Sequence, residues 1–211
     1  MKTQNINSDP KQALIIFTRN PELGKCKTRL AKTVGDEVAL KIYKHLLQHT
    51  ASVAASLKVD KFVFYSENIV ENDIWNPKIF HKYLQSGQDL GERMESAFSA
   101  LLNLGYNKVI IIGSDLLDLN TKTINKAFEK LNTHDYVVGP AKDGGYYLLG
   151  MKILTPTLFK NKAWGTQTVL KETLKNLQNK NFSLLQELND IDTFEDIQGY
   201  EELKQYYSTH D

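Results

Sequence analysis

Four consecutive β-branched residues, Val109-Ile110-Ile111-Ile112, run into Gly113-Ser114-Asp115, and this stretch constrains the chain more than any other. A run with no polar alternation reads as a strand buried on both faces, the usual state of a strand in the middle of a parallel sheet. Gly113 then releases the backbone, and Asp115 falls just past the strand's carboxyl end. Open α/β sheets bind their ligands along that edge. A carboxylate placed there can hold a hard cation such as Mg²⁺ against substrate phosphates, or it can simply cap a turn or a following helix. Position alone leaves both roles open.

The rest of the chain fits a single domain of that class. Its 211 residues suffice for one substantial core, with 41% hydrophobic and 24% charged residues. A net charge of +1 gives no signal for nucleic acid or membrane surfaces, so any electropositive site must be local. Cys26 is the one cysteine, which excludes an intrachain disulfide and suits a reducing, cytoplasmic setting. Residues 1–11 are polar, lack the apolar core of a signal peptide and read as a tail, leaving 12–211 as the domain.

Ala13 to Phe17 forms a second continuous apolar run, the expected first strand, followed by a loop punctuated by Pro21 and Gly24. From Arg19 to Lys32 there are five basic residues and one acid, in a chain otherwise balanced. A guanidinium offers phosphate a planar fork and an ammonium offers a point charge, so a cation cluster after the first strand suits phosphate binding. The glycine spacing and Gly-Lys-Ser/Thr ending of a P-loop are absent. Helical spacing is expected over 35–57, a strand over 59–65 and irregular backbone over 68–83. A helix is expected to open at Asp89 with Leu90, Met94, Phe98 and Leu101 on its apolar face, its early acids suiting the helix dipole. Thr121 is the expected N-cap of the helix carrying Ile124 and Phe128.

Asp135 to Val138 is a further strand candidate, ending at Gly139-Pro140-Ala141-Lys142-Asp143-Gly144-Gly145-Tyr146, whose glycines permit positive φ or close approach to a flat ligand. A plain hairpin turn accounts for the same residues. Trp164-Gly165-Thr166 precedes another helix, and a last strand is expected near 182–185. Asp190 and Asp192 are two apart, so an extended backbone points both carboxylates one way and Ile191 toward the core. Thr193 and Asp196 have capping-box spacing ahead of one C-terminal helix through Tyr207. His45 and His49 form an i,i+4 pair without the glutamate of a zinc protease motif and read as a surface feature.

Six stretches then occur in a characteristic order: Gly24-Lys25-Cys26-Lys27-Thr28-Arg29-Leu30, Asp89 to Met94, Gly113-Ser114-Asp115, Gly139-Pro140 with Asp143 to Tyr147, Trp164-Gly165-Thr166, and Asp190 to Thr193. In this order they resemble a bacterial family with the glycosyltransferase-A-like fold, the radical-SAM/selenodomain-associated transferases, related to 2-phospholactate and phosphoenolpyruvate guanylyltransferases. The resemblance runs from Leu14 to Leu203. It implies an α/β three-layer sandwich with a mostly parallel sheet. Nucleotide binding is implied for Arg19, Gly24, Lys25, Lys27, Arg29, Gly87 and Gly113, and acceptor binding for Asp143, Gly144, Gly145, Tyr146, Trp164 and Thr166. Asp115, Asp190 and Asp192 match the metal carboxylates, for Mg²⁺ or Mn²⁺, with Asp115, Lys27 and Arg29 as the catalytic group. Leu117 departs from the family's usual Asp-x-Pro-Asp-Leu, and it also removes the second acid of a glycosyltransferase Asp-x-Asp.

The expected function is transfer of an NMP from a nucleoside triphosphate to a small phosphorylated or phosphonylated acceptor, releasing pyrophosphate. A glycosyltransferase using a nucleotide-sugar, or a non-catalytic nucleotide-binding partner, are the alternatives, and a homodimer is compatible with each.

Overall fold

The run at residues 109–112 becomes the central strand it encodes. A computed structural model describes residues 11–208. The expected tail lies outside the described residues except for Lys11, whose carbonyl accepts from the Asn107 amide at 3.0 Å. Strand β4 (Lys108–Ile112) is buried along its whole length. On one side it pairs in parallel with β1 (Gln12–Thr18), which pairs in turn with β2 (Asp60–Tyr65), and β2 with β3 (Phe80–Leu84). On the other side β6 (Tyr146–Met151) runs antiparallel to both β4 and β5 (Tyr136–Pro140). A last strand, β7 (Phe182–Leu184), pairs in parallel with β5, giving the order β3-β2-β1-β4-β6-β5-β7.

Alternate residues of these strands feed opposite cores. Leu14, Ile16, Ile110 and Ile112 pack under α2 (Asp36–Ala55) and α4 (Thr121–Thr133). Ala13, Ile15, Val109 and Ile111 pack under α3 (Leu90–Asn103) and α5 (Val169–Leu177). Two helical layers around one sheet make the expected three-layer sandwich. A third cluster joins α1 (Thr28–Val34) and α2 to the C-terminal helices α6 (Phe194–Ile197) and α7 (Glu201–Tyr207). Leu117 sits in this cluster and is an apolar anchor for the loop after Asp115. Among the described residues no helix is long and apolar enough to cross a membrane.

Several local expectations change. Residues 80–84 are a strand, not irregular backbone; β3 is an edge strand, which needs only one buried face and so lacks a continuous apolar run. Asn120, not Thr121, caps α4, its side chain accepting from the Thr123 amide. The C-terminal helix is two helices, broken at Gly199-Tyr200. The histidine pair is structural: His49 Nε2 lies 2.8 Å from the Leu119 carbonyl, and His45 Nδ1 lies 3.1 Å from the Tyr206 hydroxyl. Leu90 is exposed at 43% and leaves the core to the rest of α3.

The third cluster is what brings the C-terminal acids to the sheet edge. Ile191 is wholly buried, and its amide donates to the Asp115 carbonyl at 3.0 Å. Thr193 and Asp196 complete the expected capping box. Burial alone would raise the Asp196 pKa, but donation from Asn189 and from the Thr193 and Asp192 amides holds it below the ordinary carboxylate range. We predict that Ile191→Ala costs about 2–5 kcal/mol in urea denaturation, the range for large-to-small core changes. A loss below about 1 kcal/mol would show that this side chain is not the anchor.

Candidate functional site

The loop after β1 is fastened before it reaches the site. Asn20 is buried and bonds across to the 66–68 turn, donating to the Asn68 carbonyl at 2.8 Å and accepting from the Glu67 amide at 3.0 Å. The Tyr43 hydroxyl accepts from the Arg19 amide and donates to the Arg19 carbonyl. Cys26 is buried against Asn20, a packing role. With the loop pinned at both ends, Lys27 takes a left-handed backbone conformation, φ 49°, uncommon for a residue with a side chain. Its side chain, only 7% exposed, turns inward and places Nζ 2.9 Å from Asp115 Oδ2. Burial would lower the Lys27 pKa, but the Asp115 charge and hydrogen bond, with Asp192 adding to them, raise it above the ordinary value.

This pair stands where two cavities meet. The larger, about 590 Å³, lies over the β1 loop and the start of α3. Its charged lining is Arg19, Lys27, Arg93, Asp89, Asp115 and Asp192, with Gln85, Gln88 and Ser66 among its neutral polar residues. Its volume is within the range of small-molecule and cofactor sites. The smaller, about 230 Å³, lies on the other side of Asp115, walled by Leu90, Met94, Tyr146 and Trp164, with Asp115, Asp143 and Asp190 as its acids. Phe17, Leu90, Gly113 and Asp115 line both.

The residues implied for binding sort unevenly between these chambers. Arg19, Lys27 and Gly113 line the larger one, whereas Gly24 and Lys25 do not. Lys25 is 71% exposed and ion-paired to Glu22 at 2.6 Å, because it ends a turn over residues 22–25 in which its amide donates to the Glu22 carbonyl. Arg29 reaches the cleft indirectly, through Asp192 at 2.8 Å. Gly87 lines neither chamber. It has φ +142°, a Cβ there would meet the Arg93 amide nitrogen at 2.7 Å, and its carbonyl accepts from Arg93 Nε. It therefore positions Arg93, a lining residue not among those singled out by sequence, although it sits inside the Asp89–Met94 motif.

Asp143, Gly145, Tyr146, Trp164 and Thr166 line the smaller chamber. Gly144 does not; a Cβ on it would meet the Gln167 carbonyl oxygen at 2.4 Å, and its own carbonyl accepts from the Leu170 amide. That contact clamps the β5–β6 hairpin loop, the plain-turn alternative being true of its backbone, onto the segment after Trp164. Gly91 lets Trp164 close the wall, since a Cβ there would lie 2.7 Å from Trp164 Nε1 and 2.3 Å from the Phe159 carbonyl oxygen. Tyr146 turns its hydroxyl toward Met94 Sδ at 3.7 Å, and burial pushes its pKa well above the ordinary phenol value.

The three metal-type carboxylates reach the same sheet edge but not one point. Asp190 opens on the smaller chamber, Asp192 on the larger, and Asp115 on both. Among the described residues no three His, Cys, Asp or Glu side chains gather as a cage for an ion. The reason is pairing: Lys27 takes Asp115 and Arg29 takes Asp192. Asp190 has no such partner, and burial, then repulsion from Asp115 and Asp143, raises its pKa to about 6. Uncompensated negative charge beside a strand-end aspartate fits a divalent cation, since Mg²⁺ is commonly held by one or two carboxylates plus substrate phosphates.

A mostly parallel sheet with a divided cleft at its carboxyl edge defines the nucleotide-diphospho-sugar transferase fold class, and solved structures of that class superpose on it. The chain belongs to the family described as "Uncharacterized protein conserved in bacteria (DUF2064)", whose family model matches residues 49–166. It is 31% identical to a candidate nucleotide-diphospho-sugar transferase from Desulfovibrio desulfuricans G20, with TM-score 0.79 over 86% of this chain and 82% of that one. A cytidylyltransferase from Leptospira borgpetersenii shares the fold at 14% identity, TM-score 0.58, covering 94% and 88% of the two chains. Glucosyl-3-phosphoglycerate synthase from Mycobacterium tuberculosis, solved with Mn²⁺ and UDP, shares it at 10% identity, TM-score 0.54, over 86% and 71%. No curated protein sequence matches significantly.

Asp190 generates a pH test on metal-free protein. Its folded pKa of about 6 lies above the unfolded carboxylate value, so its contribution to stability is full below about pH 4 and is lost as pH rises through about 6. Asp190→Asn should therefore be more stable than wild type above pH 6, on the order of 1–2 kcal/mol after solvent screening, with the gap closing near pH 4. Mg²⁺ should narrow the gap by stabilising only the wild type. A gap unchanged between about pH 4 and 7 in thermal melts would refute the charge frustration.

Proposed function

We propose that this protein is a divalent-metal-dependent nucleotidyltransferase, moving an NMP from a nucleoside triphosphate to a small acceptor with release of pyrophosphate. The observation that carries the reading is the segregation of charge about Asp115: every basic lining residue, Arg19, Lys27 and Arg93, faces the larger chamber, and none faces the smaller. A triphosphate needs such cover as its β- and γ-phosphates leave, because charge developing there is stabilised by donors already in place. Gln88 and Ser66 offer an amide and a hydroxyl to a base or ribose in the same chamber, while the Gln85 amide is held by the Thr18 and Phe64 carbonyls.

Mg²⁺ or Mn²⁺ on Asp115 and Asp190, with Asp192 beside them, would neutralise phosphate charge and orient the α-phosphate. Lys27 holds the Asp115 carboxylate in place and contributes its own charge to the phosphates. Arg29 keeps Asp192 turned to the cleft. Arg93, held by Gly87, reaches the phosphates from the α3 side. The acceptor occupies the smaller chamber, across Asp115 from the nucleotide, between the hairpin loop and Trp164. The whole described chain acts as one transferase domain of the radical-SAM/selenodomain-associated type.

Glycosyl transfer from a nucleotide-sugar is the second reading, favoured by the 31% identity to the D. desulfuricans protein. In that case the smaller chamber receives the sugar. The two separate on what leaves. With Mg²⁺, an NTP panel and an acceptor pool, we expect pyrophosphate release that Asp115→Asn abolishes. Arg93→Ala should weaken NTP binding by about 1.5–3 kcal/mol, as for hydrogen bonds to charged groups, while Lys25→Ala changes it little. Nucleoside diphosphate release from a nucleotide-sugar, with no pyrophosphate from any NTP, would replace this reading with the second.

A further inference from the structure

The acceptor chamber is chemically unlike the one beside it, and that difference restricts what it can hold. Its volume is about 230 Å³. An apolar cavity of about 150 Å³ admits benzene, so this one suits a body of phenyl or monosaccharide size. Leu90, Met94, Tyr146 and Trp164 make its walls largely apolar and aromatic. The polar tip of Tyr146 is engaged with Met94, so that residue presents ring rather than hydroxyl.

The ionisable side chains lining it are all acids apart from the tyrosines: no Lys, Arg or His lies among them. If a divalent cation balances Asp115 and Asp190, Asp143 still remains. Asp143 Oδ1 accepts from the Gly145 amide at 2.7 Å, and this turn fixes the carboxylate on the loop that Gly144 clamps in place. Asp143 is exposed, and among the described residues its Oδ2 has no hydrogen-bond partner, so it is open to water and to a ligand in the chamber. A phosphate on the acceptor would meet apolar walls and the Asp143 charge, and the one cation near it would be an ion already balanced by Asp115 and Asp190, with no side-chain cation to offset its desolvation.

We propose, resting on the nucleotidyl-transfer reading, that the acceptor is not a phosphorylated or phosphonylated compound but a compact, non-anionic molecule with an apolar face and a hydroxyl or amine that donates to Asp143. The change of acceptor class changes the chemistry required. An ionised phosphate attacks as it stands, whereas a hydroxyl must lose a proton. The acceptor oxygen or nitrogen bonds to the α-phosphorus, and the bond from that phosphorus to the α–β bridging oxygen breaks. Pyrophosphate leaves with the electron pair. An amine first gives one proton to water and attacks as the free base; the proton then lost from the bonded oxygen or nitrogen passes to Asp143 Oδ2 and from there to water. Asp143 thus selects the head group and accepts its proton, two duties for one loop carboxylate.

The test uses three probes with one body and three heads: benzyl alcohol, benzylamine and benzyl phosphate. Their binding to the full chain is measured by calorimetry or ligand-observed NMR without nucleotide. The alcohol and amine should bind, the amine more tightly because its ammonium form meets the Asp143 charge, with benzyl phosphate at least about tenfold weaker than either. Asp143→Asn should erase the amine's advantage over the alcohol, and Asp143→Lys should turn the ranking toward the phosphate by about tenfold or more. Circular-dichroism melts confirm that each variant folds, and Asp143→Asn alone suffices if the lysine variant does not. Equal or tighter binding of benzyl phosphate to wild type overturns the proposal, as does failure of all three probes at millimolar concentration. Binding of Mg-CTP and Mg-GTP is titrated separately; loss there with the head-group ranking intact would sink the nucleotidyl reading and leave the selectivity of the chamber standing.

Discussion

The ion pair between Lys27 and Asp115 is the contact on which the cleft depends. A lysine turned away from water is costly unless its charge is met, and a carboxylate beside it returns most of what desolvation takes. Here the lysine comes from a loop and the carboxylate from just past the end of a fully buried central strand. Their pairing ties a loop to the rigid centre of the sheet. It also requires the left-handed backbone at Lys27, a conformation that the fastened loop around Asn20 and Tyr43 enforces. Because Asp115 faces both cavities, the pair becomes the partition between them.

Around that partition the fold distributes cations unevenly. Arg19, Lys27 and Arg93 fall on the side of the β1 loop and α3, where they face Asp89 and Asp192, whereas the side of the β5–β6 hairpin has acids and no basic lining residue. Glycines serve this arrangement by permitting contact rather than by touching ligand. Gly87 brings Arg93 into the larger chamber, Gly91 admits Trp164 against α3, and Gly144 locks the hairpin loop to the residues before α5. Any side chain at these positions would break the contact, because the neighbouring atoms stand closer than a Cβ tolerates. The exposed Leu90, set between both cavities, is the apolar counterpart of Asp115.

Much of this architecture is legible in the chain itself. Continuous apolar runs mark β1, β2 and β4, helical spacing marks α2 and α3, and Thr193 with Asp196 marks the last capping box. Where the pattern misleads, the causes are physical. Strand β3 escapes it because an edge strand may carry exposed residues such as Tyr83 and Leu84. Leu90 has the spacing of a core residue because periodicity records which face of a helix is apolar, not whether something covers it. Lys25 shares the basic cluster with Lys27, yet its geometry sends it to Glu22. Arg93 carries no signal of its own, since one arginine in a helix start has many ordinary roles.

By itself, the sequence determined the buried strands and the main helices, the aspartate at the carboxyl edge and the acids ahead of the last helices. These depend on burial periodicity, caps and turns, which act over a few residues and leave a local trace. The tertiary structure alone decided which charges are paired and which are left facing a cavity. Lys27 meets Asp115 across 88 residues and Arg29 meets Asp192 across 163, distances in the chain over which no local pattern operates. Coulombic and hydrogen-bond partners are chosen by strand order and loop conformation, and so the half of the cleft that holds cations and the half that lacks them emerge only when the sheet is assembled.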